Sequence, residues 1–504
     1  MTGTDAQAFE APRQEADHDR WIALVILCAG FLMIVLDQTI VNVALPSIQD
    51  DLGFTQSSLA WVVNAYLIAF GGLLLLAGRL GDLIGRRRIF LIGLTSFVAA
   101  SALCGIAQSQ EVLVAARFLQ GAGGALTSAV ILGMIVTMFP QPRDQAKAIG
   151  VYSFVASSGA AIGLLAGGVL TDVLNWHWIF FVNLPIGIVT GLLALRLIDR
   201  DEGIGFEKGA DVPGAVLVTG ALMVGVYAIV EAADYGWASA HTLGFGAGAL
   251  ALLAGFLLRE SRAAHPLIPL GIFRSPTLSG ANLVQMLMVA GMFGMFFLGS
   301  LYLELVLGYS PLEIGLAFLP VALAIGVLSL GFSERLVMRY GARTTLLPGL
   351  LLLLAGLALF TQVPAGDASY VSDLLPSMLL LGVGAGLSFP SLMNLAMSEA
   401  TPEDAGLASG LVNTSLQVGG ALGLAVLATL SSTRTENLLG DGVANAEALT
   451  SGYQLAFWIG VGLVAAAIAL ALAVLPSRPA QPEAEVVAEP EFGAGEVAYQ
   501  EEAA

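Results

Sequence analysis

The sequence predicts an all-α integral membrane protein. Hydrophobic residues make up 57% of its 504 residues, charged residues make up only 12%, and the mean hydropathy is +0.84. Soluble domains carry roughly 25% charged residues. The chain also contains fourteen apolar runs of spanning length, which for a bilayer is about 20 residues. The predicted spans are 21–45, 59–77, 89–108, 112–138, 147–171, 178–197, 212–232, 242–258, 277–307, 313–333, 344–362, 373–397, 406–430 and 453–475.

The basic residues predict how these spans are oriented. With a cytoplasmic N-terminus, all 20 Lys and Arg residues fall on the cytoplasmic side except Arg117, inside the fourth span, and Arg434, in an outer loop. Membrane proteins concentrate Lys and Arg in cytoplasmic loops. An even number of spans then returns the C-terminus to the cytoplasm. The polar first 20 residues do not resemble a signal peptide, so we expect the first span to direct insertion.

A faint internal repeat predicts two related halves. The Arg-Leu and Gly-x-Arg pattern of residues 79–87 returns at residues 335–343, where Met338 replaces the carboxylate of Asp82. Transporters are commonly built from such repeats, with the substrate path between them. The predicted organisation is a cytoplasmic tail at 1–20, a six-helix half at 21–197, two additional spans with connectors at 198–276, a second six-helix half at 277–475 and an acidic, disordered cytoplasmic tail at 476–504.

The loop between the second and third spans, residues 78–88, combines four arginines with one carboxylate. The arginines fit a topology signal, but such a signal needs neither the glycines nor the carboxylate. Glycine permits tight turns and close helix approach. A carboxylate among arginines predicts a charge latch that one conformation makes and another breaks. The candidate latch consists of Gly78, Asp82, Gly85, Arg86 and Arg87.

Two charged residues lie inside predicted spans. Asp37 is about 12 Å below the outer end of the first span, and Arg117 is about 8 Å below the outer start of the fourth. A lone charge at the centre of a span costs at least about 2.5 kcal/mol, so we expect the two to pair, directly or through Gln38, Asn42 or Gln120. A purely structural ion pair is one interpretation. We favour a functional one, because intramembrane ionisable residues usually mark ion or substrate pathways.

The fifth span carries Gly159, Gly163, Gly167 and Gly168. Their four-residue spacing predicts a flat glycine strip on one helix face, against which another backbone can pack closely. On spacing alone, tight packing without any further function is the simpler interpretation.

The ninth span places Asn282, Gln285, Met288, Met292 and Phe296 on one helix face. Methionine and aromatic side chains with a few amides suit a plastic pocket for varied apolar ligands, although such a stripe is more often ordinary core. Glu304, near the outer end of the same span, is expected to snorkel to the interface. The candidate substrate-binding residues are Asn42, Tyr66, Gln285, Met292, Phe296, Asn413 and Gln417.

Several other classes of protein lack support in the sequence. Cys28 and Cys104 lie inside apolar runs and give no sign of a disulfide framework. The four histidines lie in the tail or in loops, so an intramembrane haem or metal site lacks ligands. We find no HExxH, no Gly-x-Ser-x-Gly and no glycine-rich nucleotide loop. A membrane enzyme and an ATP-driven pump are therefore disfavoured.

Taken together, these elements resemble the fourteen-helix drug:proton antiporter family of the major facilitator superfamily, over about residues 20–475. The resemblance departs from the family pattern at Leu164, where the antiporter signature of helix 5 usually has proline, and at Glu304, where glutamine is more usual. The segments that carry it are Asp37–Pro46, Gly78–Arg88, Arg117–Gly124, Ser158–Gly168, Trp178–Gly187 and His265–Arg274.

The resemblance implies a major facilitator fold with two extra central helices. It also implies a proton-coupled exporter of amphipathic organic compounds in a bacterial plasma membrane. Asp37 would carry the proton, Arg117 would tune its proton affinity, and Asp82 with Arg86 and Arg87 would favour the outward-open state. The proton would be the coupling ion. No other cofactor, ATP or nucleic acid is expected, and the protein would act as a monomer among membrane lipids. The alternatives are a proton-coupled importer of the same fold and, less favoured, a membrane-embedded enzyme.

Overall fold

The computed structural model describes residues 11–201, 203–205, 209–398 and 405–476, and the described residues contain helices but no strand. The predicted acidic tail lies outside the described residues apart from its first position. The helices are α1 (Ala11–Leu52), α2 (Gln56–Ile84), α3 (Arg86–Gly105), α4 (Gln110–Met138), α5 (Pro142–Val173), α6 (Trp178–Phe181), α7 (Asn183–Leu197), α8 (Val212–Val230), α9 (Ala232–Tyr235), α10 (Ala240–Glu260), α11 (Pro276–Leu305), α12 (Pro311–Val327), α13 (Ser333–Tyr340), α14 (Ala342–Phe360), α15 (Leu375–Met397), α16 (Ala405–Gly440) and α17 (Asn445–Val474).

The prediction of an all-α membrane protein is confirmed. Within the described residues, 13 helices are long and apolar enough to cross a membrane, and α6 with α7 forms one of them. The remaining predicted span, 313–333, corresponds to α12, which has 17 residues and continues through a π-helical turn at Leu328–Phe332 into α13. The hydrocarbon core offers no water for unpaired backbone groups, which is why the apolar runs fold into helices.

Local sequence signals set the helix ends. Thr55 caps α2 and Ser310 caps α12 through capping boxes that satisfy the first backbone N–H groups. At the other end, α2 stops at Gly85 and α13 stops at Gly341, whose φ values of 109° and 90° favour glycine. A new helix starts immediately after each of these glycines, so each glycine forms a sharp turn between two spans.

The helices pack in two groups with a pair beside them. In the first group α1 packs on α5, and α4 packs on α2 and α3. In the second group α11 packs on α16 and α17, and α14 packs on α15. Helices α8 and α10 pack on each other, and α8 also contacts α2 of the first group and α16 of the second. The additional pair therefore touches both groups through one helix.

The two ends of the bundle differ in charge. We call the end with Arg86–Arg88 and Arg343 the basic end, and the end with Asp50, Asp51 and Asp373 the acidic end. Near the acidic end the Gln56 Nε2 of α2 donates to Ser431 Oγ of α16 at 3.0 Å. In α11, Ser300 Oγ donates to the carbonyl oxygen of Asn42 in α1 at 2.7 Å. Helices of the two groups are thus joined at this end.

Candidate functional site

The predicted pairing of Asp37 with Arg117 is present in the structure. Nη1 of Arg117 donates to Oδ2 of Asp37 at 2.6 Å, and the two side chains are 1% and 0% exposed. Helices α1 and α4, which carry them, pack in the same group. The contact is direct, so the bridging residues Gln38 and Asn42 are not needed for it.

Three amide and hydroxyl side chains complete the surroundings of the pair. Oδ1 of Asp37 accepts from Gln120 Nε2 at 2.7 Å and from Asn183 Nδ2 at 2.9 Å. Both amides also donate to Ser101 Oγ, which in turn donates to the carbonyl oxygen of Phe180. Asp37 therefore links α1 to α4 and α7, with α3 held through Ser101. We call Asp37, Ser101, Arg117, Gln120 and Asn183 the buried charge network.

The guanidinium of Arg117 is enclosed on its remaining sides. Its Nε donates to the carbonyl oxygen of Val62 at 2.9 Å, and Nη1 also donates to Gln120 Oε1 at 2.7 Å. The ring of Tyr66 lies 4.5 Å from its central carbon, a cation–π contact. Tyr66 is also one of the predicted substrate residues, and that role stays a prediction. A buried charge is tolerated only when paired and hydrogen-bonded in this way.

Sequence reasoning did not assign a role to Asn183 or Ser101. Asn183 is a lone amide in the apolar run of the sixth predicted span, and Ser101 is a small hydroxyl in the third. A single polar residue inside a span was the available signal for each, since such groups need partners in hydrocarbon. Their partner could not be deduced without the packing of α3 and α7.

Three of the four helix-5 glycines face α1. A Cβ atom on Gly163 would collide with Thr39 Oγ1, and one on Gly167 would lie 2.7 Å from the carbonyl oxygen of Ile40. Gly159 likewise faces the side chains of Leu32 and Val35 on α1. The predicted glycine strip is therefore present. The helix that packs closely against it is α1, which carries Asp37.

Gly168 lies on an adjacent face of α5 and contacts the second group of helices. A Cβ on Gly168 would lie 2.8 Å from the carbonyl oxygen of Pro311 in α12. One turn earlier, the carbonyl oxygen of Leu164 would lie 2.5 Å from a Cβ on Gly315. Leu164, which stands where the family usually has proline, thus takes part in the close contact between α5 and α12.

In the predicted latch, Asp82 pairs with Arg86. Arg86 Nη2 lies 3.1 Å from Asp82 Oδ1, with the side chains 32% and 44% exposed, and Arg86 Nη1 donates to the carbonyl oxygen of Gly133 in α4 at 2.9 Å. Arg87 turns elsewhere, because its Nη2 donates to the carbonyl oxygen of Leu195 in α7 at 2.5 Å. Gly85 makes the predicted turn, whereas a Cβ on Gly78 would meet open space.

Asp201 is part of this loop structure and was not predicted from the sequence. Its carboxylate accepts from the backbone N–H groups of Arg86 and Arg87, the first two residues of α3. The backbone N–H groups of Ile204 and Gly205 donate to the carbonyl oxygens of Asp82 and Leu83. The connector after α7 therefore caps the end of α2 and the start of α3. A cavity of about 810 Å³ opens beside it and includes Asp82, Arg86 and Asp201 in its lining.

Comparison with known proteins identifies the family. Residues 27–424 match the family model described as the Major Facilitator Superfamily. The chain belongs to this superfamily. It is 41% identical to the puromycin resistance protein of Streptomyces alboniger, over 92% of this chain and 93% of that one. It is 38% identical to the cephamycin export protein of Amycolatopsis lactamdurans, over 90% of this chain and 92% of that one.

A solved structure supports the same fold. A bacterial homologue of the human lysosomal transporter Spinster aligns with a TM-score of 0.64 at 18% identity, covering 90% of this chain and 96% of that one. At this identity the likeness shows the fold alone. Membership of the superfamily makes this chain a membrane transporter rather than an enzyme.

Two of the predicted substrate residues lie on or against α16. A Cβ on Gly71 of α2 would lie 2.9 Å from Cβ of Gln417, so Gln417 lies where the two groups of helices meet. Gln285 of α11 lies within the second group, where its Nε2 donates to the carbonyl oxygen of Val412 in α16. Gln417 Oε1 and both amide atoms of Asn64 are buried with no hydrogen-bond partner in the described part of the chain.

The remaining substrate candidates are less uniform. Met292 is buried and Phe296 half-buried, and the Phe296 ring lies 5.5 Å from that of Phe318. Asn42 bonds to the carbonyl oxygen of Gln38 within α1, and Asn413 is exposed.

Glu304 differs from its prediction. The expected snorkelling would bring both carboxylate oxygens to the interface, but Oε2 is buried and has no hydrogen-bond partner among the described residues. One turn earlier, Ser300 of α11 bonds to Asn42 of α1, so this end of α11 lies against the first group of helices.

Proposed function

We propose that this transporter exports amphipathic organic compounds, antibiotics among them, across the bacterial plasma membrane in exchange for inward protons. The observation that carries the proposal is near full-length similarity to several proteins of antibiotic export and resistance. Besides the two relatives above, the chain is 36% identical to the tetracenomycin C resistance and export protein of Streptomyces glaucescens. Similarity over nearly the whole chain extends to both groups of helices and the loops between them.

The charge pattern supports an orientation with the basic end in the cytoplasm, since Lys and Arg concentrate there in membrane proteins. Both termini would then be cytoplasmic and the acidic end would face outwards. The contacts of α1 with α11 and of α5 with α12 would close the outer side in this conformation.

Transport would proceed as the two groups of helices rock about the substrate and open alternately to each side of the membrane. We propose a monomer in the lipid bilayer, driven without ATP.

We assign the coupling proton to Asp37. When ionised, Asp37 holds Arg117, Gln120 and Asn183 together and so fixes α1 against α4 and α7. Protonation removes the charge that balances Arg117 and weakens the charge-assisted hydrogen bonds. The packing of α1 on the glycine strip of α5 would transmit the change to the contact between α5 and α12.

Inverted membrane vesicles test the proposal. With puromycin as probe, vesicles containing the protein should accumulate the compound when respiration acidifies their interior. A protonophore should abolish accumulation, and ATP should not restore it. Vesicles without the protein are the control. Accumulation that survives the protonophore and requires ATP would contradict proton coupling. Accumulation of puromycin in right-side-out vesicles, with none in inverted vesicles, would favour the proton-coupled importer instead.

A further inference from the structure

Glu304 lies at the seam between the two groups of helices near the acidic end. It is the penultimate residue of α11, and Ser300, four residues earlier on the same helix face, donates to the carbonyl oxygen of Asn42 in α1. Its Oε2 atom is buried and has no hydrogen-bond partner within the described ranges. The closed seam therefore encloses a carboxyl group on one side without supplying a donor to it.

A second carboxylate lies at the same end of the neighbouring helix. Asp50, an exposed residue of α1, is two helical turns beyond Asn42, and Glu304 is one turn beyond Ser300, the residue that bonds to Asn42. The other charged groups on neighbouring elements are engaged elsewhere or lie in solvent. Glu313 of α12 bonds to Ser310, Asp373 to Ser369, Glu436 of α16 to Ser432 and Arg434 to Ser451, while Glu447 of α17 is exposed.

Closure of the seam makes the ionised form of Glu304 unfavourable, because one of its carboxylate oxygens is buried there without a donor. Removing an ionised carboxylate from water without a compensating donor is unfavourable, and a second negative charge nearby adds to the cost. A protonated carboxyl avoids both penalties. When the acidic ends of α1 and α11 separate, water reaches Glu304 again and both acids can ionise.

We propose that Glu304 is a second proton-binding site of the transporter, which binds a proton when the acidic ends of the two groups close and releases it when they separate. The proposal rests on the proposed function in one respect, because the acidic end is taken to be the outer side. Acidity outside the cell would then favour closure of that side and speed the return to the inward-open state. This proton is distinct from the one assigned to Asp37, which lies deeper in α1.

Distances across the acidic end test the proposal. Spin labels at Gln108→Cys and Asp441→Cys, which are exposed loop positions of the two groups, report separation in a background without Cys28 and Cys104. In protein reconstituted into nanodiscs, the ratio of closed to open states should rise by up to about tenfold for each unit fall in pH over the titration of one proton. Glu304→Gln should be closed at every pH. Glu447→Gln, an exposed acid at the same end, should respond like the wild type.

Further variants keep the outcome decisive if Glu304→Gln folds poorly. Asp50→Asn removes the second charge and should favour the closed state at pH values where the wild type opens. Asp37→Asn should retain the part of the pH response that Glu304 causes, and Asp37→Asn/Glu304→Gln should lose it. A wild type whose distances ignore pH, or a Glu304→Gln protein that keeps the wild-type slope, would overturn the proposal. Loss of protonophore sensitivity in vesicles, with the pH response intact, would instead contradict only the proposed function.

Discussion

The N-terminal and C-terminal groups of helices differ in how they use polar side chains in their interiors. The N-terminal group buries the Asp37–Arg117 ion pair. In the C-terminal group, the corresponding interior contacts seen in the described residues are neutral. Ser415 Oγ donates to Asn282 Oδ1 at 2.8 Å, and Gln285 donates to a backbone carbonyl. A buried ion pair is therefore a feature of the first group, whereas these contacts of the second group carry no charge.

The two repeated loops show the same division. Gly85 and Gly341 both close a helix by donating to the carbonyl oxygen four residues earlier, with φ and ψ of 109° and 131° in the first and 90° and 153° in the second. The first loop adds Asp82 and Asp201, whereas the second carries Met338, which is 72% exposed. The backbone turn is common to both groups, and the carboxylates are additions to one of them.

The largest effect is expected from breaking the buried ion pair. Asp37→Asn leaves Arg117 without its counter-charge, and removing one partner of a buried pair typically costs about 3–5 kcal/mol. We expect lost proton-driven export together with a lower melting temperature in detergent. The double variant Asp37→Asn/Arg117→Gln removes both charges and should recover most of the stability but none of the export.

The neutral contact of the other group is the control for this prediction. Asn282→Ala, which disrupts the Ser415 contact, should leave export sensitive to a protonophore. Export by the double variant at the wild-type level would show that the pair is purely structural. In that case the group that carries the proton would have to be sought elsewhere.

A smaller effect is expected from substituting the glycines of the two turns. The backbone of Gly85 and Gly341 lies in a region that side-chain-bearing residues rarely adopt, and strain there costs about 1–3 kcal/mol. Gly85→Ala should cost more than Gly341→Ala, because its Cβ would also lie 2.8 Å from the carbonyl oxygen of Asp201. Thermal unfolding of the two variants checks the order. Equal losses of thermal stability would mean that the connector at Asp201 moves away from the new Cβ with no loss of stability.

Much of the fold was predictable because hydrocarbon imposes simple demands on the sequence. Spanning length and apolarity predicted the helices. A glycine among the charged residues between two spans predicted the sharp turn at Gly85. The interruption after α12 was not predictable, since the π turn at residues 328–332 lies inside a run that is long and apolar enough to be read as one span. The polar extension of α1 toward its N-terminus likewise leaves no apolar signal.

The candidate site was predictable where a charge had to find a partner at the same depth, as Asp37 and Arg117 do. Asn183 and Asp201 were not, because each acts across helices that are distant in sequence. Asp201 sits in a polar connector, where one more acid carries no information until the loop is folded against α3. The seam around Glu304 likewise depends on how two groups of helices meet, which no local pattern encodes.

Removing the carboxylate that distinguishes the first loop is expected to have an effect no larger than that of the glycine substitutions. Asp82→Asn breaks its contact with Arg86 and any contact with the positive N-terminal end of a helix in the opposite group. The second contact would form only when the basic end is closed, so its loss should shift the population toward opening there by about 1–2 kcal/mol, roughly five- to thirty-fold. Turnover should fall while substrate binding persists.

Cysteine labelling at both ends measures this shift, after Cys28 and Cys104 are replaced. Met338→Asp places a carboxylate at the matching position of the second loop and serves as the comparison. It should leave labelling unchanged, because a carboxylate at this position, where Met338 is 72% exposed, would lie in solvent. Unaltered labelling of Asp82→Asn at both ends would reduce the first loop to a topology signal.

The smallest effect is expected from Asp201, which supports the first loop without belonging to it. Its carboxylate accepts from the first two N–H groups of α3, near the positive end of that helix. Loss of a helix cap costs typically about 1 kcal/mol, and the exposure of Asp201 places it toward the lower end of that range. Asp201→Ala should therefore raise hydrogen exchange at Arg86 and Arg87 by up to about fivefold. The first turn of α14, after Gly341, is an internal reference for the exchange measurement. Asp199→Ala is the control variant, because it alters the same cavity wall without touching the cap.

Because Asp82 and Arg86 remain in place in Asp201→Ala, its turnover should fall less than that of Asp82→Asn. If it falls further, the connector itself takes part in the change of state, and the difference between the two loops is larger than their own residues indicate.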